Sequence, residues 1–133
     1  MRDDQWLNER LNVIQNIYFL DIDVADVYIK FYGKARYRLG SIRKIDKISH
    51  IRVNGALADA GIPDFIIDEV IAHELVHYYH GFGSSRERFF KYPHRGGIVE
   101  MELQRRGAGH LRRSSKSWLE SNWHDHLDLF LVK

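Results

Sequence analysis

Residues 64–79 read DFIIDEVIAHELVHYY, and the way this stretch packs decides how the rest of the chain is arranged. Its apolar residues recur at steps of three and four, which is helical spacing, and they cover an unusually broad face. Such a helix is expected to be central and largely buried, beginning after Pro63 and ending before Gly81. The apolar residues that define it are Phe65, Ile66, Val70, Ile71, Leu75, Val76 and Tyr79.

Shorter elements are predicted on both sides of this central helix. Residues 3–19 place apolar side chains at helical spacing behind two acids, which indicates an N-terminal helix. Residues 27–32 alternate in polarity and indicate a strand, and two more short strands are expected at 37–42 and 48–53. Residues 96–106 indicate a further helix, and Ser117 can cap a last one. The last helix carries the apolar residues Trp118, Leu119, Trp123, Leu127 and Phe130, with His124 and His126 expected at its surface.

Length and composition indicate one globular domain. The chain has 133 residues, of which 44% are hydrophobic and 29% are charged, a balance that supports one buried core. The predicted fold class is α+β: a small, mostly antiparallel three-stranded sheet packed on the central helix, with an N-terminal helix and C-terminal closing helices. Residues 1–133 are expected to form a single domain, in which 108–133 are a C-terminal tail and helix.

The residue counts exclude several classes of site. The chain has no cysteine, so a metal would have to be held by histidine and carboxylate side chains. The formal net charge of +2 is too small to require a nucleic-acid or anionic-membrane partner. No apolar run approaches the ~20 residues that span a bilayer, and the N-terminus lacks the order of a signal peptide. The sequence therefore predicts a cytoplasmic protein without a membrane partner.

The central helix carries two histidines about one turn apart, in the segment His73-Glu74-Leu75-Val76-His77. At 100° per residue the two imidazoles lie about 40° apart around the helix axis and about 6 Å apart along it. Both can therefore bind one ion, and neutral imidazole is a good zinc ligand. Glu74 lies beside them and is free to act as a general base toward an attacking water. The alternative is a pair of core histidines, which would need compensation for their polarity if they bound nothing.

A catalytic zinc site usually has three protein ligands, so one more is needed. The candidates after the motif are His80, Glu87, His94 and Glu100. His80 lies about 10 Å beyond the first histidine along the axis, too far to share its ion. Gly83 stands where a metzincin places its third histidine, which excludes that class. His94 follows a loop long enough to return over the pair, whereas Glu100 or Glu102 would project from the next helix, so spacing leaves His94 and Glu100 open.

The residues around the motif resemble the SprT-like metallopeptidase domain. The resemblance runs from Ile51 to Gly107: a strand ending in RVN at 52–54, a helix reading DEVIAHELVHY at 68–78, a loop, a histidine, and a helix that closes at a glycine. In that family the third zinc ligand is a histidine just before the last helix, and PHRGGI at 93–98 matches that position. The resemblance therefore implies the zinc ligands His73, His77 and His94, with Glu74 as the catalytic residue.

The same resemblance implies a function. It indicates a zinc metalloendopeptidase, with Zn²⁺ as cofactor, that hydrolyses a protein or peptide substrate through a metal-activated water. Many members also carry a cysteine-based zinc ribbon, which this chain lacks because it has no cysteine. The minimal single-domain gluzincins are a second resemblance, similar in size and with a glutamate ligand, and they keep Glu100 as the alternative to His94.

A basic segment between Gln104 and Ser117 suggests a second function. Its cations are Arg105, Arg106, Arg112, Arg113 and Lys116, with no acid among them. A solvated helix end and loop is the simpler interpretation. Because some SprT-like proteins act on DNA-bound proteins, the segment is also a candidate DNA contact. The alternative function is therefore a DNA-associated SprT-like binding module in which the metal is mainly structural.

Overall fold

The computed structural model describes residues 1–36 and 38–131, with side chains described as far as residue 123. It is an α+β fold, as predicted from the sequence, with four helices and one three-stranded sheet among these residues. Short 3₁₀ turns lie at Gly55–Ala58 and Arg95–Gly97. The main elements are α1 (Asp4–Tyr18), β1 (Val27–Tyr32), β2 (Gly40–Ile45), β3 (Ile48–Asn54), α2 (Asp64–Tyr79), α3 (Ile98–Arg105) and α4 (Gly109–Leu131).

Helix α2 lies at the centre of the fold and packs against α1, α3, α4 and two strands of the sheet. It is buried on nearly every side, as its broad apolar face predicts, and Ile66, Ile71 and Leu75 are fully inaccessible. Each fully buried side chain of this size contributes about 1.5–3 kcal/mol of transfer free energy to folding. The helix ends where predicted, because Gly81 adopts a φ of 88° just beyond it.

Helix α1 is joined to α2 by an ion pair as well as by apolar packing. Asp3 caps α1 by accepting a hydrogen bond at Oδ1 from the backbone N–H of Trp6 (2.8 Å). The guanidinium of Arg10 donates from Nε to Oδ1 of Asp68 (2.5 Å) and from Nη2 to Oδ2 (2.7 Å). Asp68 is buried, so this bidentate pair sets the position of α1 along α2.

The sheet is mixed rather than mostly antiparallel, which corrects the prediction. The strand order is β1-β3-β2, with β1 parallel to β3 and β2 antiparallel to β3. Strands β2 and β3 form a tight hairpin in which Asp46 takes a φ of 57°. The chain therefore leaves β1, crosses the end of β3 and enters β2 on the far side. A pattern of alternating residues does not show which strands are neighbours, so the sequence did not distinguish this order.

The crossing segment between β1 and β2 is held by Asn54 at the end of β3. Its Nδ2 donates to the carbonyl oxygens of Ala35 (2.6 Å) and Arg38 (3.0 Å), and its Oδ1 accepts from the N–H of Ala56 (3.0 Å). Its backbone N–H also donates to the carbonyl oxygen of Leu39 (2.8 Å). Asn54 is buried, so one side chain fixes where β2 begins. Tyr37, at the start of the predicted second strand, lies outside the described residues.

Helix α4 begins at Gly109, earlier than the predicted start at Ser117. The segment after Gly107 was interpreted as a polar tail, but its Leu111 and Ser115 are buried against the fold. Neither this helix nor any other that the structure describes is long and apolar enough to cross a membrane. The placements expected for the side chains of His124, His126, Leu127 and Phe130 fall outside the described residues.

Replacing Asn54 by alanine is expected to loosen the crossing segment. Asn54→Ala removes three side-chain hydrogen bonds at a buried position and should lower the free energy of unfolding by about 2–3 kcal/mol. Urea denaturation followed by circular dichroism measures this change. Asn8→Ala, at an exposed position of α1, is the matched control and should shift stability little. Equal unfolding midpoints for the two variants would show that Asn54 does not hold the segment.

Candidate metal centre

Three imidazole rings meet at the C-terminal half of α2. His73 and His77 project from the helix, and His94 reaches them from the loop that precedes α3. The Nε2 atoms of His73 and His77 are 3.0 Å apart, those of His77 and His94 are 2.9 Å apart, and those of His73 and His94 are 3.4 Å apart. The three residues predicted as a group are therefore brought together around one point.

Three nitrogens this close cannot satisfy one another by hydrogen bonds. Each neutral Nε2 is either a donor or an acceptor, so at least one of the three pairs must face donor to donor or acceptor to acceptor. The shortage of hydrogen-bond partners affects His77 most. Its ring is buried, and its Nδ1 has no hydrogen-bond partner among the described residues. A cation between three acceptor nitrogens removes the conflict.

The protonation states suit metal ligands. Burial, together with the neighbouring His94 ring, lowers the pKa of His73 to about 4. Burial likewise lowers the pKa of His77 to about 3, with His73 acting in the same direction. Both rings are therefore neutral near pH 7, which leaves a nitrogen lone pair on each for a metal ion.

The spacing of the nitrogens also fits a small ion. Metal–nitrogen bonds of about 2.0–2.1 Å in a tetrahedral arrangement place the ligand nitrogens about 3.3 Å apart. The observed separations of 2.9–3.4 Å lie close to that value. His73, His77 and His94 are thus close enough to bind one metal ion.

The loop that carries His94 is anchored on the end of α2. The N–H of Phe82 donates to the carbonyl oxygen of His77 (2.9 Å), and the N–H of Phe89 donates to that of His80 (3.0 Å). Ser49 of β3 donates from Oγ to the carbonyl oxygen of Gly83 (2.8 Å). Beyond His94, Gly96 and Gly97 adopt φ values of 76° and 69°, which turn the chain sharply into α3. These contacts return a residue 17 positions after His77 to its side.

The other predicted ligands lie elsewhere. His80 is buried, its ring centre is 4.9 Å from that of Phe90, and its Nε2 is 4.0 Å from Oε1 of Glu102. Glu87 is exposed in the loop. Glu100 is half exposed on α3 and lies 3.9 Å from Arg112. Among the described residues, only the three histidines converge as a metal-binding group.

Glu74 lies next to the histidines at the bottom of a cleft between α2 and β2. The cleft has two parts, of about 400 Å³ and 230 Å³, and both are lined by Glu74 and His73. Burial and, to a smaller extent, Glu69 raise the pKa of Glu74 to about 8, against the opposing effect of Arg38. A carboxyl group whose pKa lies near neutrality can accept a proton and release it again.

Strand β2 packs closely against α2 at Gly40, and this contact forms one side of the cleft. A Cβ added at Gly40 would lie 2.5 Å from Cγ1 of Val70 and 3.2 Å from Oε2 of Glu74. Glycine at this position therefore lets the backbone of β2 approach the carboxylate.

Two charged residues of the cleft were not singled out from the sequence as site residues. Glu69 lies four residues before His73, on the same face of α2, and lines the cleft. This spacing of four residues is the sequence feature that could have placed Glu69 beside the histidines. Arg38 lies in the crossing segment and lines both parts of the cleft. No sequence pattern indicates it, because its position depends on the strand order.

The predicted basic segment is largely engaged in ion pairs. Arg106 donates from Nη1 and Nη2 to the carboxylate of Asp21 (2.6 and 2.8 Å) and from Nε to Oε2 of Glu102 (2.7 Å). Arg105 also binds Glu102. Arg112 lines the larger part of the cleft, while Arg113 and Lys116 are exposed on α4. The structure therefore does not present the five cations as one open surface.

No protein-family model matches this chain, and no curated protein matches it. The interpretation of the site depends on the residues themselves and on their arrangement.

Zinc binding by two alanine variants tests the composition of the centre. His94→Ala removes one of three nitrogen donors and should weaken zinc binding by more than about 100-fold. Glu100→Ala, the matched control from the competing ligand set, should bind zinc as the unchanged protein does. Competition with a chelating dye gives the affinities, and mass spectrometry gives the metal content of protein without a histidine tag. Zinc loss in Glu100→Ala with retention in His94→Ala would reverse the assignment.

Proposed function

We propose that the protein is a zinc-dependent metallopeptidase that hydrolyses peptide bonds. The observation that carries the proposal is the convergence of three imidazole nitrogens beside a buried carboxyl group at the bottom of an open cleft. The SprT-like resemblance of residues 51–107 supports the same activity.

Zinc is the proposed ion because of the chemistry of the donors. Three imidazoles with no thiolate form the ligand set of many catalytic zinc sites, in which a fourth position stays open. His73, His77 and His94 would hold the ion. When bound, it would supply a Lewis acid for activating water and polarising the scissile carbonyl.

Glu74 is the proposed general base and acid. Its carboxylate would accept one proton from the attacking water while the water oxygen bonds to the carbonyl carbon. It would then pass that proton to the amine nitrogen as the carbon–nitrogen bond breaks. Burial raises the pKa of Glu74, which makes its carboxylate a stronger base toward the attacking water.

Strand β2 supplies a surface along which an extended peptide can align. In the described part of the chain, β2 has a strand partner on one side only, and its residues Gly40, Ser41 and Ile42 line the cleft. The N–H and C=O groups of a strand edge can pair with the backbone of a peptide. That pairing would lay a peptide bond across His73 and Glu74, with substrate residues in both parts of the cleft.

The DNA-associated binding module is the second hypothesis, and no specific contact favours it. Arg105 and Arg106 are committed to Glu102 and Asp21, and Arg112 is turned toward the cleft. Cations that already neutralise acids release fewer counterions on binding a phosphate backbone.

The variant Glu74→Gln separates the metal site from the chemistry. It should keep zinc, because Glu74 is not among the convergent ligands, and should reduce turnover of an unfolded, fluorescently labelled protein by about 100-fold or more. Glu87→Gln, an exposed acid of the loop, is the control and should retain turnover. Turnover of the Glu74→Gln protein at the unchanged rate would exclude Glu74 as the base.

A further inference from the structure

The larger part of the cleft lies on the side of Glu74 away from His94. It encloses about 400 Å³ between the start of β2, the first turns of α2 and Arg112 of α4. Two of its walls are apolar, formed by Leu39 and Val70. The proposed function assigns no role to the polar groups of this cavity beyond Glu74.

Glu69 is the unexplained group in the cavity. It lines the wall, is 5% exposed, and its Oε1 accepts no hydrogen bond from any residue that the structure describes. A buried carboxylate oxygen without a donor is costly, since it has lost water and gained no partner. The cavity is therefore short of one donor, and a positively charged donor would satisfy it best.

Arg112 is the nearest cation, but it does not satisfy Glu69. Its Nη1 is 4.0 Å from Oε1 of Glu69, beyond hydrogen-bonding distance, and its Nη2 is 3.9 Å from Oε1 of the exposed Glu100. Its side chain is 45% exposed at the mouth of the cavity. Arg112 can thus move aside toward Glu100 when another cation enters.

We infer that this cavity binds a cationic group of the substrate, with Glu69 as the residue that determines specificity. The inference rests on the proposed function, because it places that group next to the peptide bond that is cleaved. Leu39 and Val70 suit the methylene stem of a lysine or arginine side chain, and Glu69 suits its charged head. Arg38 and Arg112 also line the cavity, but their charges act on Glu74 and Glu69 respectively. The unpartnered oxygen of Glu69, rather than an acidic net charge, is therefore what favours a cation. The cation can come from a basic side chain or from the α-amine of a peptide terminus.

Peptide binding to the Glu74→Gln protein, supplied with zinc, tests the inference without turnover. Three peptides of one length are titrated by calorimetry: a blocked peptide with a central arginine, the same peptide with leucine, and the leucine peptide with a free N-terminus. The arginine peptide or the free-amine peptide should bind about 10-fold more tightly than the blocked leucine peptide. The first result identifies a basic side chain as the source, and the second identifies the terminus. Equal affinities for all three would overturn the inference.

Variants of acidic residues then test whether Glu69 causes the preference for the cationic peptide. Glu69→Gln should remove it, Glu69→Asp should weaken it, and Glu87→Gln, at an exposed acid of the loop that does not line the cavity, should leave it intact. A preference that persists in a folded Glu69→Gln protein would overturn the assignment to Glu69. If that variant does not fold, the comparison of peptides on unaltered Glu69, together with Glu69→Asp, still decides the matter.

Turnover by the unaltered protein separates the two proposals. Zinc-loaded protein is incubated with a peptide mixture, and the products are sequenced. Cleavage with no enrichment of arginine, lysine or a free terminus next to the cut would overturn the inference and leave the peptidase proposal standing. Cation-selective binding without cleavage of any peptide would overturn the peptidase proposal and support the cavity's selectivity for cations.

Discussion

Three imidazole nitrogens at one point are the constraint on which the rest of the structure depends. His73, His77 and His94 cannot satisfy one another by hydrogen bonds, because each Nε2 is either a donor or an acceptor. The energetic conflict is greatest for His77, which is buried with no partner for its second nitrogen among the described residues. A shared cation would resolve it, so the geometry of the three nitrogens favours a metal site independently of the sequence motif.

Three parts of the fold position the three histidines and Glu74. A central helix, buried on nearly all sides, holds His73 and His77 in place. The loop after it is anchored to the end of that helix and to β3, and so returns the third ligand. Asn54 holds the crossing segment that starts β2, and Gly40 lets that strand approach Glu74. The cleft is thus formed by elements far apart in the chain.

The sequence was informative where a pattern is local. It predicted α2, its end before Gly81 and the grouping of His94 with the helical pair, the last through a family resemblance. It predicted three strands correctly but not that β1 is parallel to β3, because period two carries no information on strand neighbours. It started α4 too late, because Leu111 and Ser115 are buried by tertiary contacts in a segment that looks polar. It offered Arg106 both as part of a solvated helix end and as part of a candidate DNA contact, whereas Arg106 pairs with Asp21, 85 residues earlier in the chain.

The sequence by itself determined the paired histidines and the carboxyl group beside them, because helical geometry places residues four apart on one face. Only the tertiary structure decided which residues from other segments lie beside that face of α2. Spacing left His94 and Glu100 equal, and the anchored loop brings His94 to the pair while Glu100 stays at the surface. It also decided the charge of the cleft, because Arg38 and Arg112 reach Glu69 and Glu74 from distant segments. Contacts between such segments depend on the packing of the whole fold, which no local pattern encodes.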